Sequence, residues 1–375
     1  MPKILLVTGE ASGDLHGAKL GKALRELDPR VELIGVGGQN MLEAGVCLLP
    51  NVERVDAMGV PGIQQLFKGW KTLRRLSAYV RREQLDAIIL IDSPGLNLRL
   101  AKVAAKNSQT IIYYIAPQVW AWGRRRLHLM RRVVKHVLAI LPFEEGFFRK
   151  AGIACHFVGH PLLDDLAPSY DKIQGRAGLQ LRAEGLVIGL LPGSREREVE
   201  DVLPTLLEGV RQIQSRYPTL RVILAQAGSI SDVLIKRVLG KSDHVQVIKG
   251  QPNDVIAASD LLLVASGTAT LQAALIGTPM VIVYRTSPLT YQIAKRLVTI
   301  PYIGLVNILA DQEVVPELLQ DRMTSENIAH EALQILENPE RQRVMQKAFE
   351  AIRTSLGGAG ASKRAAELIL AEITS

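Results

Sequence analysis

Short, uninterrupted apolar runs recur along the chain and alternate with longer stretches in which apolar residues return every three or four positions. Runs of that length bounded by small or polar residues read as strands buried on both faces, and the stretches between them as amphipathic helices. In the first half the pattern predicts strands at Lys3–Thr8, Val31–Val36, Ala87–Ile91, Thr110–Ile115, His136–Leu141 and His156–Val158. In the second half it predicts them at Val187–Leu191, Arg221–Ala225, Val245–Ile248, Leu261–Val264 and Met280–Tyr284. Strands alternating with helices imply parallel, doubly wound sheets, whose ligands gather beyond the carboxyl ends of the strands.

Two strands run into the same kind of turn. Ile4–Thr8 leads into Gly9-Glu10-Ala11-Ser12-Gly13-Asp14, and Val187–Leu191 into Pro192-Gly193-Ser194-Arg195. Such turns present backbone N–H groups at the positive end of a helix, where a phosphate can approach. Because Gly9 and Gly193 lie 184 positions apart (193 minus 9), the chain reads as two Rossmann-like α/β domains facing each other across a cleft. The expected boundaries are 1–170 for the first domain, 171–185 for a polar linker, 186–340 for the second domain and 341–375 for closing helices broken at Gly357-Gly358.

Composition narrows the class. A chain of 375 residues with 47% hydrophobic and 22% charged residues is globular and long enough for two cores. No apolar stretch approaches the roughly 20 residues of a membrane span, and Met1–Val7 is short for a signal peptide, so the expected location is the cytosol or a membrane surface. Cys47 and Cys155, far apart, support neither a disulfide framework nor a zinc site. The net charge of +8 favours an anionic partner, yet with 5% aromatic residues and no recognised binding motif, nucleic acid is not the expected one.

The positive charge is clustered. Lys68, Lys71, Arg74, Arg75, Arg81 and Arg82 share a stretch in which Leu66, Trp70, Leu73, Ser77 and Val80 keep helical spacing. That describes a basic amphipathic helix, which either lies on an anionic membrane or packs its stripe on the sheet and solvates the rest. A second cluster, Arg124–Arg126 with Arg131, Arg132 and Lys135, follows Trp120 and Trp122, a pair that either lines a substrate entrance or sits in the core.

Candidate chemistry follows the strands. Ser266-Gly267-Thr268-Ala269-Thr270 opens a helix after an apolar run and, with Gly193-Ser194-Arg195, would hold a diphosphate from two sides. The Arg195 guanidinium offers a donor fork suited to phosphate oxygens. Asp92, directly after Ala87–Ile91, has two readings: general base toward a sugar hydroxyl, or cap of the helix that begins near Leu96. No Asp-x-Asp pair is present to carry a diphosphate-bound metal, and the strand-like Phe157-Val158 argues against a transition-metal set of Cys155, His156, His160 and Asp164.

Eight segments in order, GEASGD (9–14), IDSP (91–94), PQVWAW (117–122), LPFE (141–144), FVGHP (157–161), LPGSR (191–195), ASGTA (265–269) and VPELLQ (315–320), resemble the lipid-A-disaccharide synthases. The resemblance runs from Gly9 to about Gln320. It implies the GT-B fold and an inverting, metal-independent transfer without cofactor. A 2,3-diacylglucosamine unit would pass from UDP-diacylglucosamine to diacylglucosamine 1-phosphate, forming a β-1,6 disaccharide and UDP. It further implies that Asp92 and Arg195 are essential and that Gly193, Ser194, Ser266–Ala269, Gln272, Asn307, Glu317 and Gln320 surround the UDP. Gln272 stands where the family commonly has Glu, Gly95 where it has a second Asp, and Val306 where it has Pro.

Glu10, Ser12, Gly13, Asp14 and His16 are expected on the acceptor side. Met58, Val60 and Ile63 in the apolar segment before the basic helix are expected to receive acyl chains, and Trp70, Arg74 and Arg75 to meet the cytoplasmic face of the inner membrane. A UDP-sugar epimerase or another UDP-sugar GT-B transferase would share the fold and the diphosphate cradle. Oligomeric state, a homodimer included, is left open by the sequence.

Overall fold

The apolar runs become two wholly parallel sheets in the computed structural model, which describes residues 1–9, 11–50, 52, 63–166, 170–240, 242, 244–287, 291–292 and 300–374. The first sheet contains β1 (Lys3–Thr8), β2 (Glu32–Val36), β3 (Cys47–Leu48), β4 (Ala87–Ile91), β5 (Ile111–Tyr114), β6 (His136–Ala139) and β7 (Cys155–Phe157), in the order β3-β2-β1-β4-β5-β6-β7. The second contains β8 (Val187–Leu191), β9 (Arg221–Gln226), β10 (Val245–Lys249), β11 (Leu261–Ala265), β12 (Met280–Tyr284) and β13 (Glu317–Leu319), in the order β10-β9-β8-β11-β12-β13. Both are doubly wound, and most predicted strand ends shift by only one or two residues. The short edge strands β3 and β13 went unpredicted because two or three residues carry no periodic signal.

Alternate residues of each first-sheet strand enter opposite cores. Leu5, Val7, Ile88, Leu90 and Tyr113 pack on one face, whereas Ile4, Leu6, Ile89, Ile91, Ile112 and Tyr114 pack on the other. This alternation within a continuous apolar run is what burial on both faces requires. The C-terminal helix Ala361–Thr374 covers the second of these faces with Ala365, Ala366 and Ile369, alongside helix Ala11–Leu27.

The chain divides into Met1–Asp165 with Leu356–Ser375, and Leu166–Ser355. Two expected boundaries therefore move. The segment read as linker, 171–185, contains helix Lys172–Gly178, capped by Asp171 and belonging to the second unit. Its anchor is polar: buried Arg176 pairs with Asp260 at 2.6 Å and donates to the carbonyl of Ala258 at 3.1 Å. A helix held by an ion pair shows little apolar periodicity. The closing helices also part company, Pro339–Ser355 belonging to the second unit and Ala361–Thr374 to the first.

Candidate active site

In the first sheet Thr8 lies opposite Ile91, and Ile91 opposite Tyr114. Gly9, Asp92 and Ile115 thus leave one carboxyl edge together. The Asp92 N–H donates to the Ile115 carbonyl at 3.2 Å. Asp92 (φ 49°), Ser93 (φ 43°) and Ile115 (φ 57°) all occupy the left-handed region. Such conformations cost on the order of 1–3 kcal/mol each and persist only where the surroundings impose them. Here Asn97, fully buried, donates to the carbonyls of Ile91 (3.0 Å) and Asp92 (2.8 Å), and Tyr113 Oη donates to the Asp92 carbonyl at 2.5 Å.

The helix that follows, Pro94–Lys106, has Ser93 at its N-cap position, without a side-chain cap bond. The Ser93 hydroxyl instead accepts the N–H of Gly9 at 3.1 Å, joining the two turns. Asp92 is therefore not the cap. Its carboxyl pKa is raised by burial, against an opposing hydrogen bond from the Ser93 N–H.

Within the first turn, Glu10 lies outside the described residues. Ser12 is exposed. Gly13 is a contact point: a Cβ there would sit 1.8 Å from Thr8 Oγ1, so only glycine lets helix Ala11–Leu27 lie this close to β1. Asp14 is buried, and its carboxylate accepts the N–H groups of Gly38 (2.6 Å), Asn40 (3.2 Å) and Met41 (3.2 Å) and the Asn40 side chain (2.8 Å). It thus caps helix Gln39–Glu43 and has little capacity left for a substrate. His16 has its pKa lowered to about 4, chiefly by burial and then by the charge of Lys19, and its Nδ1 has no hydrogen-bond partner among the described residues.

Beyond β5 the chain runs to Trp120 and Trp122, which separate in role. Trp120 is buried: its Nε1–H donates to Glu144 Oε1 at 2.9 Å and its ring meets Phe143 edge-on at 5.0 Å. Trp122 is 42% exposed, with the Arg126 guanidinium 4.5 Å from its ring centre. Glu144 also accepts the Leu141 N–H at 3.2 Å, and burial pushes its pKa up to about 7.

In the second sheet Leu191 lies opposite Val264, and Ala265 opposite Val283, so the other predicted segments share a carboxyl edge. Gly193 is left-handed (φ 122°), as its turn requires. Ser194 N–H donates to Glu198 Oε2 at 3.2 Å, and Arg195 pairs with Glu198 Oε1. Gly267 and Thr268 are exposed at the start of helix Thr268–Ile276, where a Cβ on Gly267 would meet nothing within 4 Å. Ala269 is half-buried behind them, and Ser266 Oγ donates to the Ile303 carbonyl at 3.4 Å. Gln272 donates to Asn253 Oδ1.

Asn307 and Glu317 are inward-facing. Asn307 is fully buried; its Nδ2 donates to Val315 O (2.8 Å) and Glu317 Oε1 (2.9 Å), and its Oδ1 accepts Val314 N–H (2.8 Å) and Val315 N–H (3.0 Å). Glu317 further accepts the N–H groups of Ile303 and Gly304, both at 3.0 Å. The pair organises the loop around Gly304. Gln320 (φ 51°), with its amide oriented to satisfy both atoms, exchanges two 3.1 Å bonds with the Thr286 backbone.

Helix Ile63–Arg82 buries Thr72, Leu76, Ser77 and Val80 against helix Pro94–Lys106. Trp70 departs from the predicted stripe: it is 60% exposed, as is Phe67 at 69%, with the Arg74 guanidinium over the indole and Arg75 also exposed. Met58 and Val60 lie outside the described residues, and of Ile63 only its place in the helix is described. No helix among the described residues is long and apolar enough to cross a membrane. The set Cys155, His156, His160 and Asp164 does not converge: His160 Nδ1 accepts the Leu162 N–H, and Asp164 accepts backbone N–H groups at the start of helix Ala361–Thr374.

Solved structures with this architecture include the UDP-GlcNAc 2-epimerase from Neisseria meningitidis bound to UDP-GlcNAc (TM-score 0.67, 14% identity, 98% of this chain and 100% of that one). Another is the Methanocaldococcus jannaschii UDP-GlcNAc 2-epimerase (TM-score 0.60, 13% identity, 98% and 99%). At such identity they establish the fold, two Rossmann-like domains of the GT-B and epimerase type. Sequence relatives are much closer. The chain is 39% identical to the lipid-A-disaccharide synthase of Geobacter metallireducens over 98% of its length and 96% of the relative's, and 39% identical to that of Trichlorobacter lovleyi over 99% and 97%. With residues 4–372 matching the family described as lipid-A-disaccharide synthetase, the chain belongs to that family of lipid A glycosyltransferases.

Proposed function

We propose that the protein moves 2,3-diacylglucosamine from UDP-2,3-diacylglucosamine to the 6-hydroxyl of 2,3-diacylglucosamine 1-phosphate with inversion, giving the β-1,6 disaccharide 1-phosphate and UDP. The match over residues 4–372 carries this reading. Asp92 accepts the hydroxyl proton as the acceptor oxygen bonds to the anomeric carbon and the bond to the UDP phosphate oxygen breaks. A carboxylate with a raised pKa, not engaged in capping, suits that task. Arg195 meets the charge of the departing diphosphate, with the Gly193–Ser194 turn and the exposed start of helix Thr268–Ile276 as amide donors. Asn307, Glu317 and Gln320 act by shaping the loops behind the uridine rather than through free polar atoms. Phe67, Trp70, Arg74 and Arg75 hold the enzyme to the anionic cytoplasmic face of the inner membrane.

The test is a product assay with both diacylated substrates. Disaccharide 1-phosphate and UDP should form in equal amounts, with kcat/KM for UDP-N-acetylglucosamine far lower. Comparable values for the two donors would remove the lipid assignment, and epimerisation of the UDP-sugar without acceptor consumption would favour the epimerase reading.

A further inference from the structure

Helix Arg125–Val133 begins against its own dipole. Arg124 is its N-cap residue, Arg125 and Arg126 follow, no side chain caps it and no acidic residue occupies its first turn. A cation at a helix N-terminus costs about 0.3–1 kcal/mol. None of the three arginines pairs with a carboxylate among the described residues. Arg126 is instead stacked on Trp122, and the left-handed Gly123 (φ 81°) makes the bend that brings them together. The result is an exposed indole carrying the Arg126 guanidinium, with the exposed Arg124 and Arg125 between the two in the chain.

This platform is rigidly founded. The segment leading to it is held at one end by the bond from Asp92 N–H to Ile115 O, and at the other by Trp120 on Glu144 and Phe143. It also follows β5, whose carboxyl end adjoins that of β4 and the Asp92 turn, and the Tyr113 hydroxyl of β5 donates to the Asp92 carbonyl. An anion gathered by these arginines would therefore be held on the side of the first sheet that carries Asp92.

We propose that Trp122, Arg126, Arg124 and Arg125 bind the phosphate monoester of the acceptor, with its sugar ring against the indole. The assignment rests on the reading of the acceptor as diacylglucosamine 1-phosphate. A monoester carries about −1.5 to −2 charges and three acceptor oxygens, which match several guanidinium forks better than a phosphodiester headgroup does. A single fixed indole suits one sugar ring, whereas the exposed aromatic residues suited to a lipid surface, Phe67 and Trp70, are on another helix.

The test measures equilibrium binding of micelle-solubilised diacylglucosamine 1-phosphate and of its dephosphorylated form to the full chain and to Arg124→Ala/Arg126→Ala. Wild type should prefer the phosphorylated form by at least about tenfold, and the double variant should reduce that preference to near unity with UDP affinity and thermal unfolding unchanged. A preference that survives in the variant overturns the proposal. So does a variant that keeps the preference but loses binding to phosphatidylglycerol vesicles, which would give the platform to the lipid surface. Trp122→Ala, which keeps all three charges, should weaken both forms equally; no effect on either contradicts the stacking role. Because binding is read without turnover, failure of the disaccharide assay and failure of this site are separate results.

Discussion

The Glu198 carboxylate lies across the turn that carries Arg195, pairing with its guanidinium through one oxygen and accepting the Ser194 N–H at 3.2 Å through the other. It satisfies the groups that the proposed reaction assigns to the diphosphate. Binding UDP then requires this carboxylate to yield, because like charges side by side oppose association. Glu198→Gln should tighten UDP binding by about three- to tenfold, on the order of 1 kcal/mol. Weaker binding in the variant would show that Glu198 positions Arg195 instead.

Asn307 and Glu317 form one buried network, and removing a member leaves several polar groups unpaired at once. Each unsatisfied group costs about 1–3 kcal/mol, so Asn307→Ala should lower the stability of the second unit by at least about 2 kcal/mol. Chemical denaturation followed by far-UV circular dichroism checks this. An Asn307→Ala protein with an unchanged midpoint and selectively weakened UDP binding would make Asn307 a direct ligand contact.

The sheets were legible because strands buried on both faces leave unbroken apolar runs, and the places of Asp92 and Arg195 beyond strand ends because each follows such a run. Other roles depend on distant partners. Asp14 reads as a turn residue in a phosphate-binding loop, yet its partners are the N–H groups of Gly38, Asn40 and Met41. Trp70 fits the helical spacing of Ser77 and Val80, yet those two are buried with Thr72 and Leu76 while Trp70 is left exposed. Glu144 and Glu198 were missed although each stands three residues after an N-cap position, the place of a capping-box carboxylate. Asn97 had no signal: a single amide inside a helix discloses nothing of the carbonyls it reaches.

Glu144 gives the first unit a pH dependence. Its pKa rises from an ordinary carboxyl value to about 7 on folding, so the native state holds a proton that the unfolded chain releases first. The contribution is complete below about pH 4.5 and is lost as pH rises through about 7. Glu144→Gln should gain stability over wild type between pH 5 and 7.5, by up to about 3 kcal/mol. All three tryptophans, Trp70, Trp120 and Trp122, lie in the first unit, so their fluorescence follows its unfolding. A difference independent of pH would contradict the raised pKa.

The proposed membrane attachment is separable from stability because Phe67, Trp70, Arg74 and Arg75 are exposed while Leu76 and Val80 anchor the helix. Replacing Phe67 and Trp70 by Ser and both arginines by Glu should release the protein from anionic vesicles, with its melting temperature nearly unchanged. Retained vesicle binding would assign attachment to another surface.

The proposed transfer stands or falls with Asp92 as its proton acceptor. Asp92→Asn preserves size and removes only basicity. Its kcat in the diacylated-substrate assay should fall by about 10² to 10⁴, with UDP affinity and melting temperature close to wild type. A variant retaining more than about a tenth of wild-type kcat, below the range a general base supplies, would contradict that role.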